Sequence, residues 1–169
     1  LTPLFGGQME WFWIVTVTGL LTLFWGSFMA IKQTDLKAML AYSTVSQLGL
    51  IMSLLGIGSV AFISDYSAHS MLFAAAILAA MFHLINHSIF KGCLFMVIGI
   101  IDHEAGTRDI RRLGGLLGFM PVSFTLAVIG SLSMAGLPPF SGFLSKEMFF
   151  TGLLHASRSM EGWVIGLLP

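Results

Sequence analysis

The sequence predicts an all-α polytopic membrane protein, a transmembrane helix bundle in which one helix is discontinuous. Hydrophobic residues make up 56% of the 169 positions and charged residues only 9%, whereas soluble domains carry about 25% charged residues. Several apolar stretches reach the roughly 20 residues that a helix needs to cross a bilayer. One stretch is interrupted by Pro138 and Pro139, and a proline pair cannot continue a straight helix. These three observations together predict the fold class.

The first two predicted spans cover residues 11–31 and 39–62. A short polar turn joins them, and we expect its Asp35 and Lys37 only to solvate the loop. The third span, residues 71–101, would be about 46 Å long at about 1.5 Å per residue. Because the hydrocarbon core of a bilayer is about 30 Å thick, this helix must tilt, kink or project from the membrane.

The fourth predicted element covers residues 119–154 and is broken at residues 136–142, GLPPFSG. The whole element is too long for one straight crossing, and the part after the break is too short for a second one. We favour a single discontinuous helix over a helix followed by a half-length re-entrant segment. A fifth span begins at residue 162 and is cut off at residue 169.

The distribution of positive charge predicts the orientation. Loops 32–38 and 102–118 hold five Lys or Arg residues, whereas the loop before the fifth span holds Arg158 alone. Positively charged loops stay on the cytoplasmic side, so we expect both loops there. The chain begins at Leu1 without a charged leader and ends within the apolar run GWVIGLLP. We therefore expect residues 1–169 to be an internal piece of one transmembrane domain in a longer protein.

A row of titratable side chains lies in the third span. His83, His87 and Lys91 are spaced at i, i+4 and i+8 and share one helix face, with Asn86 beside them. A lysine at bilayer depth costs about 2.5–3.5 kcal/mol on insertion scales, and helices that carry one usually line an ion or proton path. The alternatives are a structural lysine bonded to a buried acid or backbone carbonyl, and histidines that only hydrogen-bond to neighbouring helices. No carboxylate or cysteine shares this face, so we expect no metal site.

Two charged residues, Lys146 and Glu147, follow the proline break. Adjacent helix residues point about 100° apart, so we do not expect these two to face each other as an ion pair. Broken membrane helices expose carbonyls and dipole ends that can hold an ion. Lys146 is therefore a second candidate, and the break at Pro138 and Pro139 is a candidate gate. The alternative is a lysine near the membrane interface, at the end of a re-entrant segment.

The second span carries four polar side chains on roughly one face, Ser43, Ser46, Gln47 and Ser53. Small hydroxyl groups in membrane helices usually pack against another helix, and a hydrated face is the alternative. Among these residues, Ser43 and Gln47 are the candidates for supporting polar groups.

Other classes of site have little support in the composition. The formal net charge is zero and no basic tract is present, so we expect no nucleic-acid partner. The single cysteine, Cys93, offers no disulfide framework or cluster ligation. There is no strand-linked glycine fingerprint for a nucleotide, so we expect no cofactor.

Three strings carry a specific resemblance, QTDLKAMLAYSTVSQLGL (Gln33–Leu50), HLINHSIFKGCLF (His83–Phe95) and AGLPPFSGFLSKE (Ala135–Glu147). In order and spacing they resemble the antiporter-like membrane subunits shared by respiratory complex I and the Mrp-type multisubunit Na⁺/H⁺ antiporters. The stretch VIGIIDHEAGTRDIRRLGG (Val97–Gly115), with GFLSKEMFF, is most similar to the A-type subunit of the Mrp antiporters.

The resemblance implies a proton-translocating, multi-pass subunit of the cell membrane that performs no bond chemistry. Lys91 and Lys146 occupy the positions of lysines in the family's hydrated proton path, with His83 and His87 on the connecting face. We expect protons to pass along His83, His87 and Lys91 and then to reach Lys146. The family's earlier Glu and Lys pair is not in this sequence, so this piece does not hold a complete path.

The partners that the resemblance implies are other membrane subunits of a hetero-oligomeric complex, the lipid bilayer, protons, and Na⁺ or another monovalent cation. Two alternatives stay open. One is a proton-pumping module of complex I or of a membrane-bound hydrogenase, where another subunit performs the redox chemistry. The other is a structural scaffold that has lost transport.

Overall fold

The computed structural model of the chain describes residues 9–59, 70–151 and 154. This part of the chain is helical, and its one β-type pairing is an isolated bridge between Asp35 and Asp109. Three helices are long and apolar enough to cross a membrane. The predicted fold class is therefore confirmed, while the predicted fifth span, 162–169, and Arg158 lie outside the described residues. The helices are α1 (Met9–Ile31), α2 (Leu36–Ser59), α3 (Ser70–Ala105), α4 (Leu116–Phe119), α5 (Pro121–Ala135) and α6 (residues 141–151).

The helix bounds differ from the predicted spans in two places. α3 continues four residues beyond the predicted end, through polar residues to Ala105, which makes it about 54 Å long. The predicted start of the fourth element at Phe119 falls instead in the short helix α4. Met120 separates α4 from α5 with φ of −138°, and Pro121 then occupies the first turn of α5. Proline is favoured there because its missing N–H has no intrahelical partner.

α1 and α2 pack together through small residues. A Cβ placed on Gly19 would lie 2.5 Å from the backbone nitrogen of Ser53, and one on Gly26 would lie 2.6 Å from that of Ser46. The two backbones therefore approach too closely for side chains at these points, as small residues permit in membrane helix pairs. The Ser27 and Ser46 hydroxyl oxygens are 2.6 Å apart across this contact.

The expectation that the polar residues of α2 share one face is wrong. Ser46 and Ser53 lie at the contact with α1, whereas Ser43 and Gln47 face α3. The two pairs are about 90° apart around the helix axis at about 100° per residue. α2 therefore presents a packing face and a separate polar face.

α3 lies between the two halves of the discontinuous helix. Leu94, in the second half of α3, packs with Met134 of α5. Ala76 and Ala80, in the first half of α3, share a buried cluster with Phe149 of α6. The break between α5 and α6 therefore lies beside the middle of α3.

The two loops predicted to be cytoplasmic meet at one end of the bundle. The Leu36 N–H donates to the Arg108 carbonyl at 3.1 Å, and the Ile110 N–H donates to the Thr34 carbonyl at 3.0 Å. Both loops therefore lie on the same side of any membrane that the bundle crosses. Which side this is stays a prediction.

Asp35 has a structural role that the sequence-based prediction missed. Its carboxylate accepts hydrogen bonds from the N–H groups of Lys37 at 2.8 Å and Ala38 at 3.0 Å, and so caps the start of α2. It also lies 3.4 Å from the Arg108 guanidinium. The hydrogen bond from Ala38, together with the charge of Arg108, holds the pKa of the Asp35 carboxyl below its usual value. The prediction that Asp35 only solvates the loop is wrong.

Two substitutions at Asp35 separate the cap from the charge. We expect Asp35→Asn, which keeps an acceptor, to lower the thermal midpoint of the purified parent complex less than Asp35→Ala does. Because the native pKa lies below 3.8, the charge contributes fully above that pH and its contribution is lost as the pH falls further. The difference between wild type and Asp35→Asn should therefore shrink in acid. Equal midpoints for the two variants at neutral pH would contradict the capping role.

Candidate functional site

The row of titratable side chains on α3 is buried inside the bundle. His83, His87 and Lys91 are only 1%, 5% and 4% exposed. The two imidazole rings are roughly parallel, with centroids 6.3 Å apart, and the His87 ring meets the Phe90 ring edge-on with centroids 5.4 Å apart. Helical spacing alone produces the alignment of the row, because every fourth residue returns to nearly the same face.

Lys91 is held by neutral oxygens of α2. Its Nζ donates to the Leu40 carbonyl oxygen at 3.1 Å and to the Ser43 hydroxyl oxygen. In the described part of the chain, the ion pairs of Lys and Arg side chains all involve loop arginines, and Lys91 is in none of them. A charge on Lys91 is therefore solvated by dipoles here and is not neutralised by a carboxylate.

His83 connects three helices. Its Nε2 lies 2.9 Å from the Gln47 Oε1 on α2, and its Nδ1 lies 3.0 Å from the Ser145 hydroxyl oxygen on α6. Ser43 and Gln47, one turn apart on α2, thus contact the two ends of the α3 row. Ser145 was not among the predicted site residues. The available signal was its position directly before Lys146 and three residues after Gly142.

Lys146 bridges the break in the discontinuous helix. Its Nζ donates to the carbonyl oxygens of Met134 and Ala135, each at 2.9 Å. These carbonyls belong to the last turn of α5, where no intrahelical N–H is available and the helix dipole favours a cation. Gly136 turns the chain with φ of 80°, and a Cβ there would lie only 2.7 Å from the Lys146 Cδ. Glycine is therefore required both for the turn and for the passage of the lysine side chain.

An open cleft of about 600 Å³ lies beside Lys146. Its lining includes Gln47, Gly136, Lys146 and Glu147, and Glu147 is exposed. Pro138 and Pro139 are also exposed, in the connection between α5 and α6. The half-buried Lys146 is thus within reach of the space outside this group of helices, whereas the α3 row is not.

The geometry changes the expected order of the site residues. His83 is the member of the row that contacts α6, and Lys91 lies about 12 Å further along α3. The spatial sequence is therefore Lys91, His87, His83 and then Lys146, whereas the sequence-based prediction placed Lys91 next to Lys146. No signal in the sequence indicates this order, because the crossing point of α6 on α3 is a tertiary property.

Two polar atoms inside the row have no partner. The Asn86 Nδ2 and the His87 Nε2 are buried without a hydrogen bond in the described part of the chain. Leaving such an atom unpaired costs about 1–3 kcal/mol, and buried polar groups of this kind ordinarily bind ordered water. Among the described residues, no group of three His, Cys, Asp or Glu side chains is arranged to hold a metal ion.

Known antiporter proteins are similar to this chain along nearly its whole length. The A-type subunit of the Na⁺/H⁺ antiporter of Alkalihalophilus pseudofirmus is 64% identical over 158 residues, which is 94% of this chain and 20% of that protein. The corresponding protein of Bacillus subtilis is 59% identical over 157 residues, 93% of this chain and 19% of that protein. This chain therefore spans about a fifth of the length of these curated relatives.

A solved structure and a family model agree with these relatives. The structure of the Mrp complex from a Dietzia species superposes with a TM-score of 0.73 and 38% identity, covering 86% of this chain and 15% of that chain. The model of the family described as "NADH:quinone oxidoreductase/Mrp antiporter, TM" matches residues 1–168. The chain therefore belongs to this family of membrane proteins, which NADH:quinone oxidoreductase and the Mrp antiporters share.

Proposed function

We propose that this chain is part of the proton-translocating membrane subunit of a multisubunit monovalent cation (Na⁺)/H⁺ antiporter. The observation that carries the proposal is the buried row of Lys91, His87 and His83, linked through α6 to Lys146 at a helix break. The antiporter is favoured over a proton-pumping module of a redox enzyme because the relatives at 64% and 59% identity are named as A-type subunits of Na⁺/H⁺ antiporters. The protein would act with other membrane subunits and would perform no bond chemistry.

The proposed route follows the geometry of the site. A proton moves from Lys91 through His87 to His83 and then to Lys146, which exchanges with one side of the membrane through the cleft beside it. Burial in a low-dielectric interior penalises the charged form of a lysine or histidine, which favours release of the proton to the next group. Moving one charge through the membrane field is worth about 2.3 kcal/mol per 100 mV, so the membrane potential can drive the exchange.

Neighbouring polar residues support this route. Ser43 and Gln47 orient Lys91 and His83, and the unpaired atoms of Asn86 and His87 offer hydrogen bonds to water between them. Glu147 provides an acceptor at the mouth of the cleft. The exposed connection that contains Pro138 and Pro139 would let α6 move relative to α5 and so gate Lys146.

The membrane position of the chain follows the same proposal. The protein is an integral, multi-pass protein of the cell membrane. We propose that loops 32–38 and 102–118, which meet at one end of the bundle, lie in the cytoplasm, because they hold five of the Lys and Arg residues.

Lys91→Met tests the route in the complete parent complex. Methionine has a similar length but carries no proton, so we expect Na⁺-dependent proton movement to fall by about tenfold or more, since a positioned proton carrier contributes at least that much. The complex is expressed in a host without its own sodium antiporters. Everted vesicles are energised by respiration, and recovery of a ΔpH dye is followed after addition of Na⁺.

The matched control is Lys37→Met, which also removes one lysine but at an exposed position in the first turn of α2. It should retain wild-type exchange. If wild-type vesicles that contain the complex respond to no monovalent cation, the antiporter proposal is wrong and a redox-driven pump becomes the better interpretation. If Lys91→Met exchanges as Lys37→Met does, Lys91 has only a structural role.

A further inference from the structure

The hydroxyl group of Ser145 has more hydrogen-bond partners than it has hydrogen atoms. Its oxygen lies 3.0 Å from the His83 Nδ1 and also 3.0 Å from the Gly142 carbonyl oxygen, to which it donates. Ser145 is completely buried. One hydroxyl carries a single proton and can donate to only one of these two neighbours at a time.

The protonation of His83 decides which neighbour receives that proton. When both ring nitrogens carry hydrogen, Nε2–H donates to Gln47, Nδ1–H donates to the Ser145 oxygen, and the hydroxyl donates to Gly142. All three bonds then form together. When His83 loses the Nδ1 proton, that nitrogen becomes an acceptor, and the Ser145 hydroxyl turns toward it and leaves the Gly142 carbonyl.

We propose that Ser145 is a positioning residue that couples the charge on His83 to the first turn of α6. This inference rests on the proposed proton route and deepens it. Ser145 gains and loses no proton itself, since its hydroxyl only rotates between two acceptors. The proton that His83 binds at Nδ1 is the one that the route delivers and removes.

The coupling acts at the point where the discontinuous helix is joined. Gly142 is in the first turn of α6, and a Cβ on it would collide with the Ser133 carbonyl oxygen of α5. A hydrogen bond gained or lost at the Gly142 carbonyl therefore changes the part of α6 that contacts α5. Lys146, the next residue after Ser145, is carried by the same turn.

The charged and titratable groups around His83 are few. His87 and Lys91 lie on the same face of α3, and Lys146 is the charged residue of α6 next to Ser145. From α2, the group that contacts His83 is the neutral Gln47. The Ser145 hydroxyl is thus the partner of the Nδ1 atom, and its removal changes one nitrogen of one imidazole.

Ser145→Ala in the complete complex tests the coupling. Without the oxygen, a protonated Nδ1 loses its acceptor, and hydrogen bonds to charged groups are stronger than those between neutral groups. His83 should bind a proton less readily, so we expect the alkaline limb of the pH profile of antiport to move to lower pH by about one unit. Ser145→Thr, which keeps the hydroxyl, should restore the wild-type profile.

Two further variants sharpen the test. Gln47→Glu places a carboxylate at the Nε2–H with little change of shape and should move the alkaline limb in the opposite direction, to higher pH. Ser88→Ala is the matched control, because Ser88 is exposed on α3 and its hydroxyl donates only to Leu84 of its own helix at 2.9 Å. It should leave the profile unchanged.

A second readout separates this inference from the proposed function. Nitrogen-15 NMR of the labelled complex in lipid, with the His83 signals assigned by their loss in His83→Gln, follows protonation of the ring without transport. A Ser145→Ala complex that titrates His83 as Ser88→Ala does overturns the coupling, as does an assembled Ser145→Thr complex that behaves like Ser145→Ala. If wild type shows no antiport, the proposed function fails, and the His83 titration still decides the role of Ser145.

Discussion

Lys146→Ala should abolish ion exchange by the parent complex while leaving the complex assembled. In the structure, the Lys146 Nζ is bonded only to backbone carbonyls of Met134 and Ala135, at the end of α5 and beside an open cleft. Removal of the side chain leaves those carbonyls accessible to water from the cleft, so the structural cost is modest. It also removes the proton carrier between His83 and the membrane surface, for which we expect a loss of about tenfold or more.

Lys146→Arg distinguishes a proton carrier from a structural cation. Arginine keeps the positive charge at the end of the α5 dipole, but its guanidinium does not release a proton in proteins. If Lys146 carries protons, Lys146→Arg should be as inactive as Lys146→Ala. If it only caps α5, the arginine should restore exchange, and that result would contradict the proposed role.

The measurement for both variants is the recovery of ΔpH on Na⁺ addition to everted vesicles, normalised to the amount of assembled complex. Lys32→Ala is the control. Lys32 is an exposed lysine in the loop after α1, with its Nζ 4.2 Å from the ring centre of Phe28. Its removal should change neither assembly nor exchange.

Gly142→Val should produce the largest structural effect of any single substitution in the described part of the chain. A Cβ on Gly142 would overlap the Ser133 carbonyl oxygen, which belongs to the backbone of α5 and cannot rotate away. Overpacking of a buried site costs about 1–3 kcal/mol, and more where backbone must move. The start of α6 must therefore separate from α5, which withdraws Ser145 from His83 and Lys146 from its carbonyls.

We expect Gly142→Val to lower the thermal midpoint of the purified complex and to reduce exchange together with it. Gly99→Val is the matched control, since a Cβ at Gly99, on the exposed side of α3, meets nothing within 4 Å. A Gly142→Val complex with the stability and exchange of Gly99→Val would show that α6 can be displaced from α5 without consequence. That outcome would remove the basis for coupling at this contact.

The sequence by itself determined the membrane helices and the content of the α3 row. Long apolar stretches without charge have no stable alternative to spanning helices, and the constant period of the α-helix places His83, His87 and Lys91 on one face. The proline pair likewise required a discontinuous helix, since a missing N–H and a restricted preceding residue are local properties of the chain. The high cost of a lysine in a bilayer is what directed attention to Lys91 and Lys146.

Only the tertiary structure decided which groups meet. The separation of Ser46 and Ser53 from Ser43 and Gln47 depends on where α1 and α3 pack around α2. The contact of Ser145 with His83, and the order in which the row reaches Lys146, depend on where α6 crosses α3. Helices that are apolar on nearly all sides have no stripe in their sequence to indicate which neighbour they contact. Their relative position is set instead by close approach at small residues such as Gly142, and that fit exists only when both helices are in place.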